Sequence, residues 1–188
     1  MERSFEAVLV EQCATTLAGV KPASLFRYQG ADRWQSREAA ARWAKELAPY
    51  GITVRILKVC PQTGACLIYL YRAGWLRSIL SEPSTRAFLA GQGYGADQSC
   101  QELLRQLSRR LCLEREFPHE IGVFLGYPLE DVVGFIRNRG RNYTCCGYWK
   151  AYGDPEAAQK RFDQYRRCTA ACCEQFRKGT AITQLIAA

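Results

Sequence analysis

The stretch Phe117–Gly140, FPHEIGVFLGYPLEDVVGFIRNRG, contains the only histidine of the chain, His119, and its apolar residues recur at helical spacing. Gly126 is suited to ending a first helix. Pro128 is suited to starting a second one, because the first turn of a helix does not need its missing N–H. Basic residues and Gly140 then close the second helix. The stretch therefore predicts two short helices that meet at a corner.

This corner also has the spacing of a DNA-reading helix–turn–helix unit, with small or apolar residues at Gly122, Gly126, Val132 and Phe135. Its second helix would begin with Glu130 and Asp131, whose carboxylates repel DNA phosphates. We therefore expect a structural helical corner, and sequence-specific DNA binding is not expected.

The chain before this corner alternates helical and strand patterns. Apolar spacing predicts a helix over residues 4–18 and, with Ser36 as its cap, a helix from Arg37 to Pro49. Strand patterns cover Ala23–Tyr28, Ile52–Cys60 and Ala65–Arg72. The last two strands are expected to form an antiparallel hairpin. Further helical patterns follow at residues 75–80, 84–89 and 97–113.

After the corner, residues 142–153 are interpreted as a loop rich in cysteine and aromatic residues, and Asp154-Pro155 predicts the start of a long helix. The predicted fold class is α+β, with a small antiparallel sheet of about three strands covered by helices and an all-helical C-terminal half. We expect a single domain over residues 1–188, in which a helical part (116–188) packs on an α/β part (1–115).

The composition favours a cytoplasmic protein. The chain has 188 residues, of which 48% are hydrophobic, and no apolar run approaches the roughly 18 residues of a membrane helix. The N-terminus has acidic residues among its apolar ones and lacks the layout of a signal peptide. In a reducing cytosol the ten cysteines are expected to be thiols, metal ligands or catalytic groups rather than disulfides, with most of them reduced and buried.

The formal net charge of +8 favours anionic partners. Bases outnumber acids in Arg137–Lys178, where Arg161, Arg166 and Arg167 are the residues expected to contact nucleic acid. We expect such binding to be weak, nonspecific and sensitive to salt. A solvated basic face is the structural alternative.

Three motifs carry a family resemblance: CATTLAGVKPASLF from Cys13 to Phe26, the corner FPHEIGVFLGYPLEDVVGFI, and CGYWKAYGD. They resemble the domain of unknown function 3793 family, whose usual first motif has proline where this chain has Thr15. The family is found mostly in anaerobic Gram-positive bacteria, and the resemblance implies a cytosolic protein without an assigned activity. Genes of this family are associated with neighbouring genes for flavodoxin and ferrous-iron uptake. The resemblance therefore implies a link to iron or redox metabolism and a redox protein partner.

Two places hold candidate catalytic residues. A thiolate at Cys13 near Lys21 could act as a nucleophile or a soft ligand, although Cys13 also lies on an apolar helix face that favours burial. His119, with Glu120 beside it, could ligate a metal or haem or transfer protons near neutral pH. A structural role is the alternative for this single histidine.

Candidate metal ligands are His119, Cys146, Cys168 and Cys172. The last two are four residues apart on a predicted helix, so they share a face. They also lie on its apolar stripe, where cysteine serves as a small hydrophobic residue. The paired CxxC spacing of common zinc modules is not found in this sequence.

The candidate ligand-binding residues are Lys21, Ser24, Arg72, Tyr127, Trp149 and Lys150. Lys21 and Arg72 would hold anionic groups, and the aromatic cluster GYWKAY around Lys150 could stack a flat ring such as a flavin. The alternative is a loop that Trp149 pins to the core. We expect the N-terminal motif, Arg72 and the His119 corner to converge on one site.

The leading functional interpretation is binding of a small anionic ligand or a metal-containing cofactor, with a metal, haem or flavin as the options. Binding of nucleic acid or a protein partner through the basic C-terminal helices is the alternative, and a purely structural interaction protein comes third. No P-loop, GxGxxG, HExxH or GxSxG motif is present in the sequence, so nucleotide hydrolysis and the common hydrolase mechanisms have no support.

Overall fold

A computed structural model describes residues 3–32 and 34–187 of the chain, and it confirms the α+β fold class. Its helices are α1 (Phe5–Leu17), α2 (Gln35–Leu47), α3 (Ala73–Ser81), α4 (Pro83–Gly91), α5 (Cys100–Leu113), α6 (Ile121–Phe124), α7 (Leu129–Arg137) and α8 (Pro155–Arg177). Two short 3-10 helices lie at Ala48–Tyr50 and Ile182–Leu185. The strands are β1 (Ala23–Tyr28), β2 (Ile52–Val59), β3 (Cys66–Arg72), β4 (Cys145–Cys146) and β5 (Lys150–Ala151).

The chain divides into two compact units, one formed by Met1–Gly74 with Arg167–Ala188 and the other by Trp75–Arg166. They are called the sheet unit and the helical unit below. The expectation of a single domain over the whole chain stays a prediction. No helix among the described residues has the length and apolarity needed to cross a membrane.

The sheet unit is built on three antiparallel strands in the order β1-β3-β2, which confirms the predicted hairpin of β2 and β3. The register pairs Ser24 of β1 and Val54 of β2 with Leu70 of β3. Because side chains alternate along a strand, these three lie on the same face of the sheet. Val54 and Leu70 belong to the core formed by α1 and the sheet, so Ser24 is directed toward that core.

Helix α1 covers this face. Ser4 caps it by accepting a hydrogen bond from the Ala7 amide at 3.2 Å. Leu9, Cys13 and Leu17 are fully buried in the same core. At about 25 cal/mol per Å² of apolar surface, each buried leucine stabilises the fold by roughly 2 kcal/mol.

The predicted cap of the second helix is wrong. Helix α2 begins at Gln35, two residues before the predicted start, and the Asp32 carboxylate accepts from the Trp34 and Gln35 amides at 2.7 and 2.8 Å. Ser36 is instead buried and accepts from the Gly30 amide at 3.0 Å. The carboxylate therefore takes the capping role that the sequence assigned to Ser36.

In the helical unit, α5 begins with a reciprocal capping box between Ser99 and Glu102. It buries Leu103, Leu104, Leu107 and Leu111. The helical corner is also present. Gly126 has φ of +74°, a conformation that favours glycine, at the end of α6. A Cβ on Gly122 would lie 2.7 Å from Val132 Cγ2, so glycine permits α6 and α7 to pack closely.

The C-terminal half is rich in helix, as predicted, but it also holds a small second sheet. Strands β4 and β5 pair antiparallel inside the segment that was interpreted as a loop, with Cys146 opposite Lys150. Each strand has two residues, which is too short for the alternating pattern that reveals a strand in a sequence.

Candidate functional site

A buried polar cluster lies in the sheet unit where α1 ends and β1 begins. We define it as the Lys21 cluster, formed by Cys13, Thr16, Lys21 and Ser24. The Thr16 and Ser24 hydroxyls are 2.8 Å apart and hydrogen-bonded. Cys13 is fully buried, while Ser24 and Lys21 are 3% and 7% exposed. A lysine is rarely this buried.

Local backbone geometry produces the cluster. The amides of Val20 and Lys21 both donate to the Thr15 carbonyl, at 2.8 and 3.0 Å, and this turns the chain back onto the end of α1. Ser24 then enters β1 on the face that α1 covers. The motif CATTLAGVKPAS thus brings four separated polar side chains together.

Burial shifts the pKa values of the two titratable groups of this cluster in opposite directions. It lowers the pKa of Lys21 to about 8, and Cys13 partly offsets that fall. It raises the pKa of Cys13 well above the usual range, against smaller opposing contributions from Lys21 and Ser24. Cys13 is therefore a neutral thiol near pH 7, which makes it a weak nucleophile, and Lys21 is the group that changes charge near neutral pH.

Arg72, at the end of β3, lies beside the cluster and is engaged by backbone. Its Nε donates to the Thr16 carbonyl at 2.9 Å, and its Nη2 donates to the carbonyls of Leu17 and Ala187 at 2.7 and 2.9 Å. The guanidinium thus satisfies carbonyls at the C-terminal end of α1, where a cation is favourable. Ligand binding by Arg72 stays a prediction.

His119 and Glu120 are adjacent in sequence but lie in different environments of the helical unit. Glu120 is 2% exposed and accepts from Arg110 Nη1 at 2.7 Å and from the Tyr94 hydroxyl at 2.9 Å. His119 is exposed, and its ring centroid lies 4.8 Å from that of Phe135. The carboxylate is thus held by structural partners, while the imidazole faces solvent.

We expect the His119→Gln variant to lose less than about 1 kcal/mol of unfolding free energy, because an exposed ring makes only aromatic contacts here. Urea denaturation of the two proteins measures this difference. A loss above about 2 kcal/mol would show that the imidazole makes a buried hydrogen bond, contrary to its exposure.

The GYWKAY motif is anchored within the helical unit. This fits the structural alternative, in which Trp149 holds the loop against the core. Trp149 is 8% exposed, and its Nε1 donates to Asp131 Oδ2 at 2.7 Å. The Tyr127 ring stacks on Trp149 with centroids 5.0 Å apart. Lys150 Nζ donates to the Gly140 carbonyl at 2.8 Å and lies 4.9 Å from the Tyr143 ring centroid. Ligand binding by these three candidates stays a prediction.

All ten cysteines are free thiols in the structure, but fewer are buried than expected. Only Cys13, Cys66 and Cys172 are buried, whereas Cys112 and Cys146 are exposed and the others are intermediate. The expectation that most are buried is therefore wrong, because several lie at the margins of helices and on β4 rather than on core-facing positions.

The candidate metal ligands are spread over both units. Cys168 and Cys172 interact on α8, as their spacing predicts, and burial raises the pKa of each thiol. Cys168 also contacts the Ala14 carbonyl, with its sulfur 3.8 Å away. Cys146 is exposed on β4 and His119 is exposed before α6. Within residues 3–32 and 34–187, no three His, Cys, Asp or Glu side chains are grouped to hold a metal ion.

The structure thus brings Cys13, Lys21, Ser24 and Arg72 together at one end of the sheet unit. His119, Glu120, Tyr127, Trp149 and Lys150 lie in the helical unit. The predicted convergence of all these residues on one site stays a prediction. The sequence interpretation missed Asp131 as an anchor of the GYWKAY segment, since its position in a first helical turn already accounted for its charge.

These features define an α+β protein with a three-stranded antiparallel sheet and a buried lysine cluster at the edge of its first helix. The chain belongs to the family described as "Protein of unknown function (DUF3793)", which matches residues 9–186. This confirms the resemblance carried by the three motifs. No curated protein and no solved structure matches the chain.

Proposed function

We propose that the chain binds a small anionic ligand through the Lys21 cluster. The observation that carries this proposal is the burial of Lys21, which is 7% exposed and whose pKa burial lowers to about 8. Removing an ammonium group from water is costly, and a bound anion offsets that cost by favouring the charged form.

The neighbours of Lys21 fit this role. Hydroxyls such as those of Thr16 and Ser24 can reorient to donate to a ligand oxygen, and the neutral Cys13 thiol adds no opposing charge near pH 7. The net charge of +8 raises the local concentration of anions around the protein. We expect anion affinity to fall as the pH rises above about 8, because Lys21 then loses its proton.

Calorimetric titration with inorganic phosphate tests the proposal. We expect saturable binding to the intact chain near pH 7 and at least about tenfold weaker binding to Lys21→Met, since a charge-assisted hydrogen bond contributes about 1.5–3 kcal/mol. Lys45→Met is the matched control, because Lys45 is an exposed lysine on α2 of the same unit. It should bind phosphate as the unchanged chain does.

Equal phosphate affinity of the intact chain and Lys21→Met would contradict the proposal, as would affinity that does not weaken between about pH 7 and about pH 9. Ser24→Ala supplies a second measurement. It removes one hydroxyl from the cluster without removing charge, and we expect it to weaken phosphate binding severalfold.

Weak, nonspecific nucleic-acid binding is a second candidate function. The observation that favours it is the exposed basic side of α8, where Lys160, Arg161 and Arg167 are all accessible to solvent. Arg166 lies on the same helix, but its guanidinium contacts the Asp163 carboxylate at 2.7 Å, which reduces its contribution to a phosphate-binding surface.

A further inference from the structure

A cleft of about 390 Å³ opens beside the α6–α7 corner of the helical unit. Its volume lies in the range of small-molecule sites in proteins. Apolar side chains form part of its wall, among them Ile79, Val123 and Leu129. It shares no residue with the Lys21 cluster, and all its lining residues belong to the helical unit.

Three polar features meet in this cleft. Helix α7 begins after Pro128 without a side-chain cap, so the first amides of the helix, at Leu129 and Glu130, lie at the cleft wall with the positive end of the helix dipole. Arg161 of α8 is exposed and is one of the residues that line the cleft. The α7 amides and Arg161 both favour a negatively charged group.

Thr85 is the independent observation that points to a ligand. Its side chain is only 5% exposed, yet it lines the cleft. Its hydroxyl makes no hydrogen bond within the described part of the chain, and it is not among the polar atoms sealed from solvent. The hydroxyl is therefore left to interact with what enters the cleft.

We infer that this cleft binds a small monocarboxylic acid with an apolar body. The carboxylate would be held by Arg161, the Thr85 hydroxyl and the first amides of α7, and the apolar body would contact Ile79 and Val123. Glu130 is an acid among the residues that line the cleft, so a dianion such as phosphate would be repelled more strongly than a carboxylate with one charge.

Phenylacetate is a suitable probe, and phenylacetamide is its uncharged counterpart of nearly the same shape. Titration followed by ligand-observed NMR should show saturable phenylacetate binding and at least about tenfold weaker binding of the amide. Arg161→Gln should weaken phenylacetate binding about tenfold, and Thr85→Val should weaken it severalfold, because each loses one hydrogen bond to the carboxylate.

Arg166→Gln is the matched control, since Arg166 is an exposed arginine of the same helix that does not line this cleft. It should bind phenylacetate unchanged. The dependence of phenylacetate binding on Arg161, which lies outside the Lys21 cluster, separates this inference from the proposed function. Thermal melting verifies that both lining variants fold. No saturable binding, equal binding of acid and amide, or unchanged binding by Arg161→Gln would each overturn the inference.

Discussion

The difference in unfolding free energy between the intact chain and the Lys21→Met variant will change by about 2 kcal/mol between about pH 7 and about pH 10. The reference pKa of lysine is 10.5, and burial lowers the pKa of Lys21 to about 8 in the folded chain. Between these values the unfolded chain binds the proton and the folded chain does not. Lys21 therefore destabilises the fold most below pH 8, and stability rises as the pH increases through this window.

Urea denaturation at several pH values measures the effect, taken as the difference between the intact chain and Lys21→Met. The difference is needed because cysteines and tyrosines also titrate in this window. Burial raises the pKa of several of them, including Cys168 and Tyr127, so their contribution to stability falls as the pH rises. Those groups are present in both proteins and largely cancel.

Lys45→Met serves again as the control, because it removes an exposed lysine from the same unit. Its difference from the intact chain should stay within about 0.5 kcal/mol across the range. If the Lys21→Met difference is equally flat, the ammonium group is hydrated in the folded chain, and the physical basis of the proposed anion site is lost.

The sheet and most helices of this chain could be predicted from local patterns. Ile52, Val54 and Ile56 alternate with polar residues, and the structure places them in β2. The capping residues Ser4 and Ser99 are also local signals, each within a turn of the helix it begins. Fold class depends on such short-range information, so it was accessible from the sequence.

Burial of charged residues could not be predicted in the same way. Lys21 and Glu120 are only 7% and 2% exposed, although both are charged residues in motifs that the sequence interpretation assigned to ligand binding or catalysis. The partners of Glu120 are Tyr94, which follows α4, and Arg110 of α5. No periodicity in the sequence signals such pairs. The cleft near Thr85 was missed for the same reason, since α5 and α6 lie between α4 and α7 in the chain.

Asp131 illustrates how one local explanation can conceal a larger role. It occupies the first turn of α7, where the helix dipole favours an acid, and this sufficed to explain it from the sequence. In the structure it is 4% exposed and accepts three hydrogen bonds, from Trp149 Nε1 at 2.7 Å and from the Tyr152 and Gly153 amides at 2.6 and 3.1 Å. It therefore connects the corner motif to the GYWKAY motif.

We expect Asp131→Ala to lower the unfolding free energy by on the order of 3 kcal/mol, since it leaves one buried and two partly buried N–H donors without an acceptor, at up to about 1–3 kcal/mol each. Glu130→Ala is the matched control. Glu130 is the neighbouring acid in the same helical turn and is exposed, so its loss should cost less than about 1 kcal/mol. Urea denaturation followed by tryptophan fluorescence measures both.

A double-mutant cycle with Trp149→Phe then isolates the indole hydrogen bond. Phenylalanine keeps much of the aromatic packing against Tyr127 and Phe162 but removes the Nε1 donor. If Asp131 and Trp149 act together, the double variant should be more stable than the sum of the single losses predicts, by roughly 1–2 kcal/mol. An Asp131→Ala variant as stable as Glu130→Ala would show that the GYWKAY segment is held by its aromatic packing alone. A large Asp131→Ala loss that is additive with the Trp149→Phe loss would instead assign the anchoring to the Tyr152 and Gly153 amides.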